Sequence, residues 1–127
     1  MQYLAIGSES GSEVFTDFDP SLTVIATVLN NRFPGSLTTD AGAKALTLNV
    51  PTAGVIGEPG IAYNAGSDEF GVLRFTSPLS KEYKIGDKLE VIVPHCDPVV
   101  NEYDQMYGIR DGKVEVVWDV TARGCSQ

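Results

Sequence analysis

The densest run of chemically capable side chains is Val93-Pro94-His95-Cys96-Asp97-Pro98-Val99-Val100-Asn101, which holds the single histidine of the chain. Imidazole nitrogen and carboxylate oxygen are good ligands for Zn, Mn and similar divalent ions. If the apolar stretch before them stays extended, His95 keeps the parity of Leu89, Val91 and Val93. Residues two apart share a face, so His95 and Asp97 project together and Cys96 points away. The two prolines restrict the local backbone. Two ligands fall short of the four that a structural zinc site takes, yet they suit a catalytic ion whose other positions hold water and substrate. The competing reading is a histidine beside an aspartate at a strand end, hydrogen-bonded and inert. Cys96 reads first as a small buried hydrophobe, and second as a soft ligand that replaces a neighbour if the backbone twists.

Other polar groups carry less. Asp40 and Lys44 lie four apart around Gly42, as an ion pair or a capped turn, with the glycine there for a close backbone approach or a positive φ. Asp68-Glu69 reads as solvated acidic surface, and Arg123 as a partner for an acid at an interface. The chain has no phosphate-binding G-x-x-x-x-G-K-[ST], no G-x-S-x-G elbow and no H-E-x-x-H, so no catalytic residue is assigned beyond the metal pair His95 and Asp97.

The elements that must position this pair are strands. Leu22 to Leu29 is β-branched and uncharged, as a strand covered on both faces would be. Lys88 to Val93 and Val114 to Val120 read as strands with one cleaner face. Shorter strands are expected at Glu13 to Thr16, Leu37 to Thr39, Lys44 to Leu48, Gly71 to Phe75 and Tyr107 to Arg110. Asp111-Gly112 between β-forming residues predicts a tight type I′ hairpin. No window of a dozen residues keeps the helical period. Helical turns are expected only at Ser77 to Lys81 and near Asp40 to Lys44, and Val50 to Asp68 reads as a long ordered loop. Seven or eight short strands in one domain define an all-β sandwich or barrel.

The chain of 127 residues carries 17 acidic and nine basic side chains, a net charge of −8. That length is one domain's worth, 1–127. The sparse, scattered Lys and Arg exclude a nucleic-acid interface and binding to an anionic membrane. No apolar run approaches the ~18 residues of a membrane span, and the first residues show no signal-peptide pattern. Cys96 and Cys125 form neither a C-x-x-C unit nor a disulfide framework. A reduced, cytoplasmic protein is therefore expected.

The stretch from Gly86 to Asp104, centred on Pro94-His95-Cys96-Asp97-Pro98 and Val100-Asn101, resembles the metal-binding stretch of the D-threonine aldolase and D-serine dehydratase-like family. The similarity continues in Gly11 to Asp17, in Leu22 to Val28, in the Asp-x-Gly-x-Lys turn at Asp40-Ala41-Gly42-Ala43-Lys44, and in Val116 to Gly124. The resemblance implies a closed or partly open antiparallel, Greek-key-like β-barrel, similar to the C-terminal domain of alanine racemase. It implies His95 and Asp97 as ligands of a divalent metal, Zn or Mn. Asp rather than Cys at the second position leans toward the aldolase branch. Two departures stand out: Glu13 where family members often carry tyrosine, and Phe70 where a histidine follows the acidic pair.

Enzymes of this family bind pyridoxal phosphate in an N-terminal TIM-type barrel that this sequence does not contain, so no lysine here is given the Schiff-base role. The resemblance thus implies the metal half of a pyridoxal-phosphate-dependent lyase acting on β-hydroxy D-amino acids such as D-threonine or D-serine. The missing barrel would be part of a longer protein or lie on a separate subunit. The alternative is a stand-alone, non-catalytic metal- or ligand-binding or dimerisation domain that retains only the fold.

Overall fold

The computed structural model describes residues 19–47 and 52–125. The strand expected at Glu13 to Thr16 lies outside them. The elements in chain order are β1 (Thr23–Asn30), β2 (Ser36–Thr39), α1 (Ala43–Leu46), β3 (Gly54–Val55), β4 (Ile61–Ala65), β5 (Gly71–Phe75), β6 (Lys88–Ile92), α2 (Cys96–Val100), β7 (Gln105–Arg110) and β8 (Lys113–Asp119). Six strands form one sheet in the order β3-β6-β1-β2-β5-β4, all neighbours antiparallel. The sheet curls until its edge strands β3 and β4 meet, giving a nearly closed antiparallel barrel with two short helices. β7 and β8 form a separate two-stranded hairpin. No helix among the described residues is long and apolar enough to cross a membrane.

Alternation builds the barrel interior. Along β6, Leu89 and Val91 are buried while Lys88 and Glu90 are exposed. Leu73 of β5 and Leu37 of β2 sit opposite each other in register and are both buried, each contributing about 2–3 kcal/mol of apolar burial. β1 does not have two covered faces as expected: Ala26 and Val28 are buried, but Ile25 is 54% exposed. A central strand of a small barrel has an outer face, and Ile25 lies on it, lining a groove.

Three further expectations are corrected. Residues 44–46, expected as a strand, are the turn of α1, because Gly42 sits at its N-cap and Leu46 folds back into the core. Residue 48 lies outside the described set. Residues 50–68 are not a plain loop, since β3 and β4 form within them. Residues 77–81 make bends rather than helical turns; Ser80 there is drawn to Glu58 through both its N–H and its hydroxyl. The Asp111-Gly112 turn matches expectation, with both residues at positive φ (50° and 72°), as a type I′ turn requires.

Candidate metal pair and the groove beside it

β6 ends at Ile92, and buried Val93 and Pro94 carry the chain to His95. The strand does not run on through the pair. His95 is extended (φ −148°, ψ 118°) and is the N-cap of α2, whose first turn contains Cys96, Asp97 and Pro98. Proline is tolerated there because the first turn of a helix has no intrahelical acceptor for its N–H groups. Buried Val99 pins the helix to the core. The Tyr103 hydroxyl donates to the Ala45 carbonyl at 3.0 Å, tying the exit of α2 to α1. The Asn101 side chain accepts from the Gly124 N–H at 2.9 Å, and Arg123 pairs with Asp104 at 2.5 Å. The basic partner expected for an acid is thus found within the same chain.

His95 and Asp97 approach each other, but not by the strand parity expected from Leu89, Val91 and Val93. A strand-to-helix junction, not a continuing strand, brings His95 Nε2 within 3.7 Å of Asp97 Oδ2. The His95 side chain is 24% exposed and that of Asp97 54%. Cys96 does not point away, and it is not buried. Its thiol donates to Asp97 Oδ1 at 3.2 Å. That hydrogen bond, together with partial burial and the Asp97 charge, pushes the Cys96 thiol pKa up, so the sulfur keeps its proton and serves as a donor. Asp97 is thereby oriented, with Oδ1 held by Cys96 and Oδ2 turned toward His95.

The donor set fits a divalent ion. Two ligands about 2.1 Å from one ion, at angles between 90° and 110°, stand roughly 3.0–3.4 Å apart. The observed 3.7 Å is within a side-chain adjustment of that. Among the described residues no group of three or more His, Cys, Asp or Glu side chains is placed to hold a metal, so the other coordination positions fall to water, substrate or groups from elsewhere. Pyridoxal phosphate does not fit these residues: all five lysines are exposed, and Lys44 is engaged by Glu69.

The Asp-x-Gly-x-Lys turn is organised differently from a simple internal pair. Asp40 Oδ1 accepts the Thr27 N–H at 2.6 Å, while Lys44 reaches across to Glu69 and not to Asp40. Gly42, at φ −89°, allows the close approach that the sequence analysis anticipated. Ala43 and Lys44 donate their N–H groups to Ser67 and Asp68 carbonyls, each at 3.0 Å.

A groove of about 820 Å³ lies between the barrel and the β7–β8 hairpin. Val99 and Val100 line it, so α2 carries the donor pair at its start and groove-facing valines at its end. Sequence reasoning missed this groove, and its one legible signal was the excess of apolar residues in β7 and β8 over what a two-stranded hairpin can bury. Tyr107, Ile109, Val114, Val116, Val117 and Trp118 are all substantially exposed.

The curled antiparallel sheet with its few short helices is the barrel domain of fold-type III pyridoxal-phosphate enzymes. Residues 21–109 match the family model described as "Putative serine dehydratase domain", and the chain belongs to that family. It is 38% identical over 110 residues to D-threonine aldolase of Arthrobacter sp., covering 87% of this chain and 29% of that protein. It is 35% identical over 108 residues to 3-hydroxy-D-aspartate aldolase of Paracoccus denitrificans, covering 85% of this chain and 27% of that protein. The crystal structure of D-threonine aldolase from Filomicrobium marinum superposes with a TM-score of 0.79 at 33% identity, covering 87% of this chain and 30% of that one. D-threo-3-hydroxyaspartate dehydratase from Delftia sp. HT23 shares the fold, with a TM-score of 0.63 at 18% identity over 76% of this chain and 31% of that one. The chain thus spans under a third of the length of the curated relatives it matches.

Proposed function

We propose that this chain supplies the divalent-metal ligands of a pyridoxal-phosphate-dependent lyase that acts on β-hydroxy D-amino acids. The observation that carries this reading is the approach of His95 Nε2 and Asp97 Oδ2 to 3.7 Å at the start of α2. The relatives add the substrate class: by name they are aldolases of D-threonine and of 3-hydroxy-D-aspartate, both amino acids with a hydroxyl on the β-carbon. A divalent ion held by this pair supplies Lewis acidity toward the substrate hydroxyl or carboxylate.

The chain's own residues do the positioning. His95 offers Nε2 from a backbone fixed by Pro94 and the start of α2, and Asp97 offers Oδ2 because Cys96 occupies Oδ1. Buried Val99 and the Tyr103–Ala45 bond hold the helix on the barrel. The cofactor and its lysine belong to the part of the relatives that this chain does not span. Exposed apolar residues on the hairpin favour a domain that works docked against other protein over one that stands alone.

The test is calorimetric titration of Mn²⁺ and Zn²⁺ into the wild-type chain, His95→Ala and Asp97→Ala, with circular dichroism to confirm the fold. Each single variant is expected to weaken binding at least about 100-fold, because one remaining side chain cannot chelate. Unchanged affinity in either variant contradicts the assignment. Cys96 gives a finer check. Cys96→Ala is expected to lower metal affinity about 10-fold by freeing Asp97 to rotate, as loss of an outer-shell partner does. Cys96→Ser, which still donates to Oδ1, should stay near wild type. Equal loss in both would mean that the sulfur itself binds the ion.

A further inference from the structure

The groove beside α2 has a composition that the metal pair does not use. Its floor is apolar, with Leu22, Val24, Val93, Val99, Tyr103 and Met106, and the hairpin continues it through Tyr107, Ile109 and Val114. Its rim carries Asp40, Asp68, Glu69 and Glu90 against a single cation, Lys44, which is already paired with Glu69. Asp40 and Glu90 accept hydrogen bonds from neutral groups only, the Thr27 N–H and the Thr23 hydroxyl. An apolar trough thus lies under a rim with an excess of three negative charges.

Charge sorts the possible occupants. A second copy of this chain carries a net charge of −8 as well, so the two would approach with like charge. Residues 1–18 hold three acids and no lysine or arginine, so that segment would add like charge beside the rim carboxylates. An anionic membrane surface is repelled in the same way. What complements the site is an apolar segment flanked by cations. We infer that the groove and the adjoining hairpin face form an interaction surface for a partner polypeptide segment that presents apolar side chains between lysines or arginines. This inference concerns different residues from the metal pair and does not depend on it.

The test uses a short synthetic peptide, capped at both ends, that alternates valine with lysine, and a control that alternates valine with glutamate. Binding to the whole 127-residue chain is followed by two-dimensional amide NMR without added metal. The lysine peptide is expected to bind, with shifts concentrated at Ile25, Val99, Val100, Ile109 and Val114, and the glutamate peptide is expected not to bind. Asp68→Lys/Glu90→Lys should weaken binding about 10-fold or more, whereas Glu82→Lys/Asp87→Lys, with the same change in net charge at residues that do not line the groove, should change it less than about twofold. Circular dichroism checks that both variants fold. Equal loss in the two double variants would reduce the effect to the overall charge and overturn the inference. So would binding of the glutamate peptide, or concentration-dependent shifts at the same residues without peptide, which would identify a second copy as the occupant. Binding seen only after removal of residues 1–18 would assign the groove to that segment instead.

Discussion

Glu58→Ala is expected to lower stability by about 3 kcal/mol, roughly 10 °C in Tm for a domain of this size. Glu58 is 3% exposed, in the turn between β3 and β4. Its carboxylate accepts from the Ser80 N–H at 3.1 Å, from the Ser80 hydroxyl, and from the Tyr83 hydroxyl at 2.7 Å. Together these bonds fasten residues 80–83 over the β3–β4 edge of the barrel. Truncation leaves three donors without their acceptor, and hydrogen bonds to charged groups are the costly ones to lose. The same bonds fix the sign of the pH dependence. The Ser80 hydrogen bond, with help from Tyr83, outweighs burial and lowers the Glu58 pKa below its ordinary 4.5. The folded state therefore favours the charged form, and the contribution is complete above about pH 4.5 and fades as pH falls through the lower folded value. Tyr83, pushed up to about 12 mainly by burial and next by Glu58, stays protonated as a donor across this range. Glu58→Gln should remove part of the acid-side loss expected of wild type below about pH 4.5 in urea titrations. An identical acid limb in both proteins would contradict this role.

Gly42→Val is expected to cost about 3 kcal/mol or more, at or above the upper end of ordinary overpacking. A Cβ at residue 42 would lie 2.5 Å from the Glu69 carbonyl carbon and the Phe70 nitrogen, and nearer still to the Asp68 carbonyl oxygen. These are backbone atoms of the turn between β4 and β5, itself closed by Gly66 and Ser67 N–H groups donating to the Phe70 carbonyl and by the Phe70 N–H donating to Ser67 Oγ. The turn cannot yield without breaking the Ala43–Ser67 and Lys44–Asp68 bonds, so amide hydrogen exchange at Ala43 and Lys44 should accelerate along with the fall in Tm. The Lys44–Glu69 pair adds little, because both side chains are mostly exposed. Gly35→Ala is the control: φ is +77° with nothing near the added carbon, so only a backbone penalty of about 1 kcal/mol is expected. Comparable losses at the two glycines would mean that α1 does not press on the turn as described.

The strands were legible where alternation is clean. Lys88 to Val91 shows a period of two with charged outward positions, and the Asp111-Gly112 pair announces its own geometry. Ile25 misled because an uncharged run looks the same whether its outer face is covered by protein or open beside a groove. The helical turn expected near Asp40 to Lys44 is present as α1 but runs on to Leu46, because Gly42 lets the turn at 68–70 approach closely, and a contact so distant in sequence leaves no local pattern at residues 44–46. The approach of His95 and Asp97 was legible as residue types at a spacing, since imidazole and carboxylate two apart can converge from an extended chain or from a helix start. The Cys96 thiol's role was not, because a donor bond to a neighbouring carboxylate has no periodic signature. Glu58 was missed for the same reason: its partners lie 22 and 25 residues away.

Elemental analysis of the chain purified without chelator, compared with the His95→Ala/Asp97→Ala double variant purified side by side, tests the metal assignment most directly. Wild type is expected to retain close to one Zn or Mn per chain, and the folded double variant only background metal. Equal metal in the two proteins, or none in wild type even after incubation with excess Mn²⁺ or Zn²⁺, would contradict a site built on His95 and Asp97 in this chain.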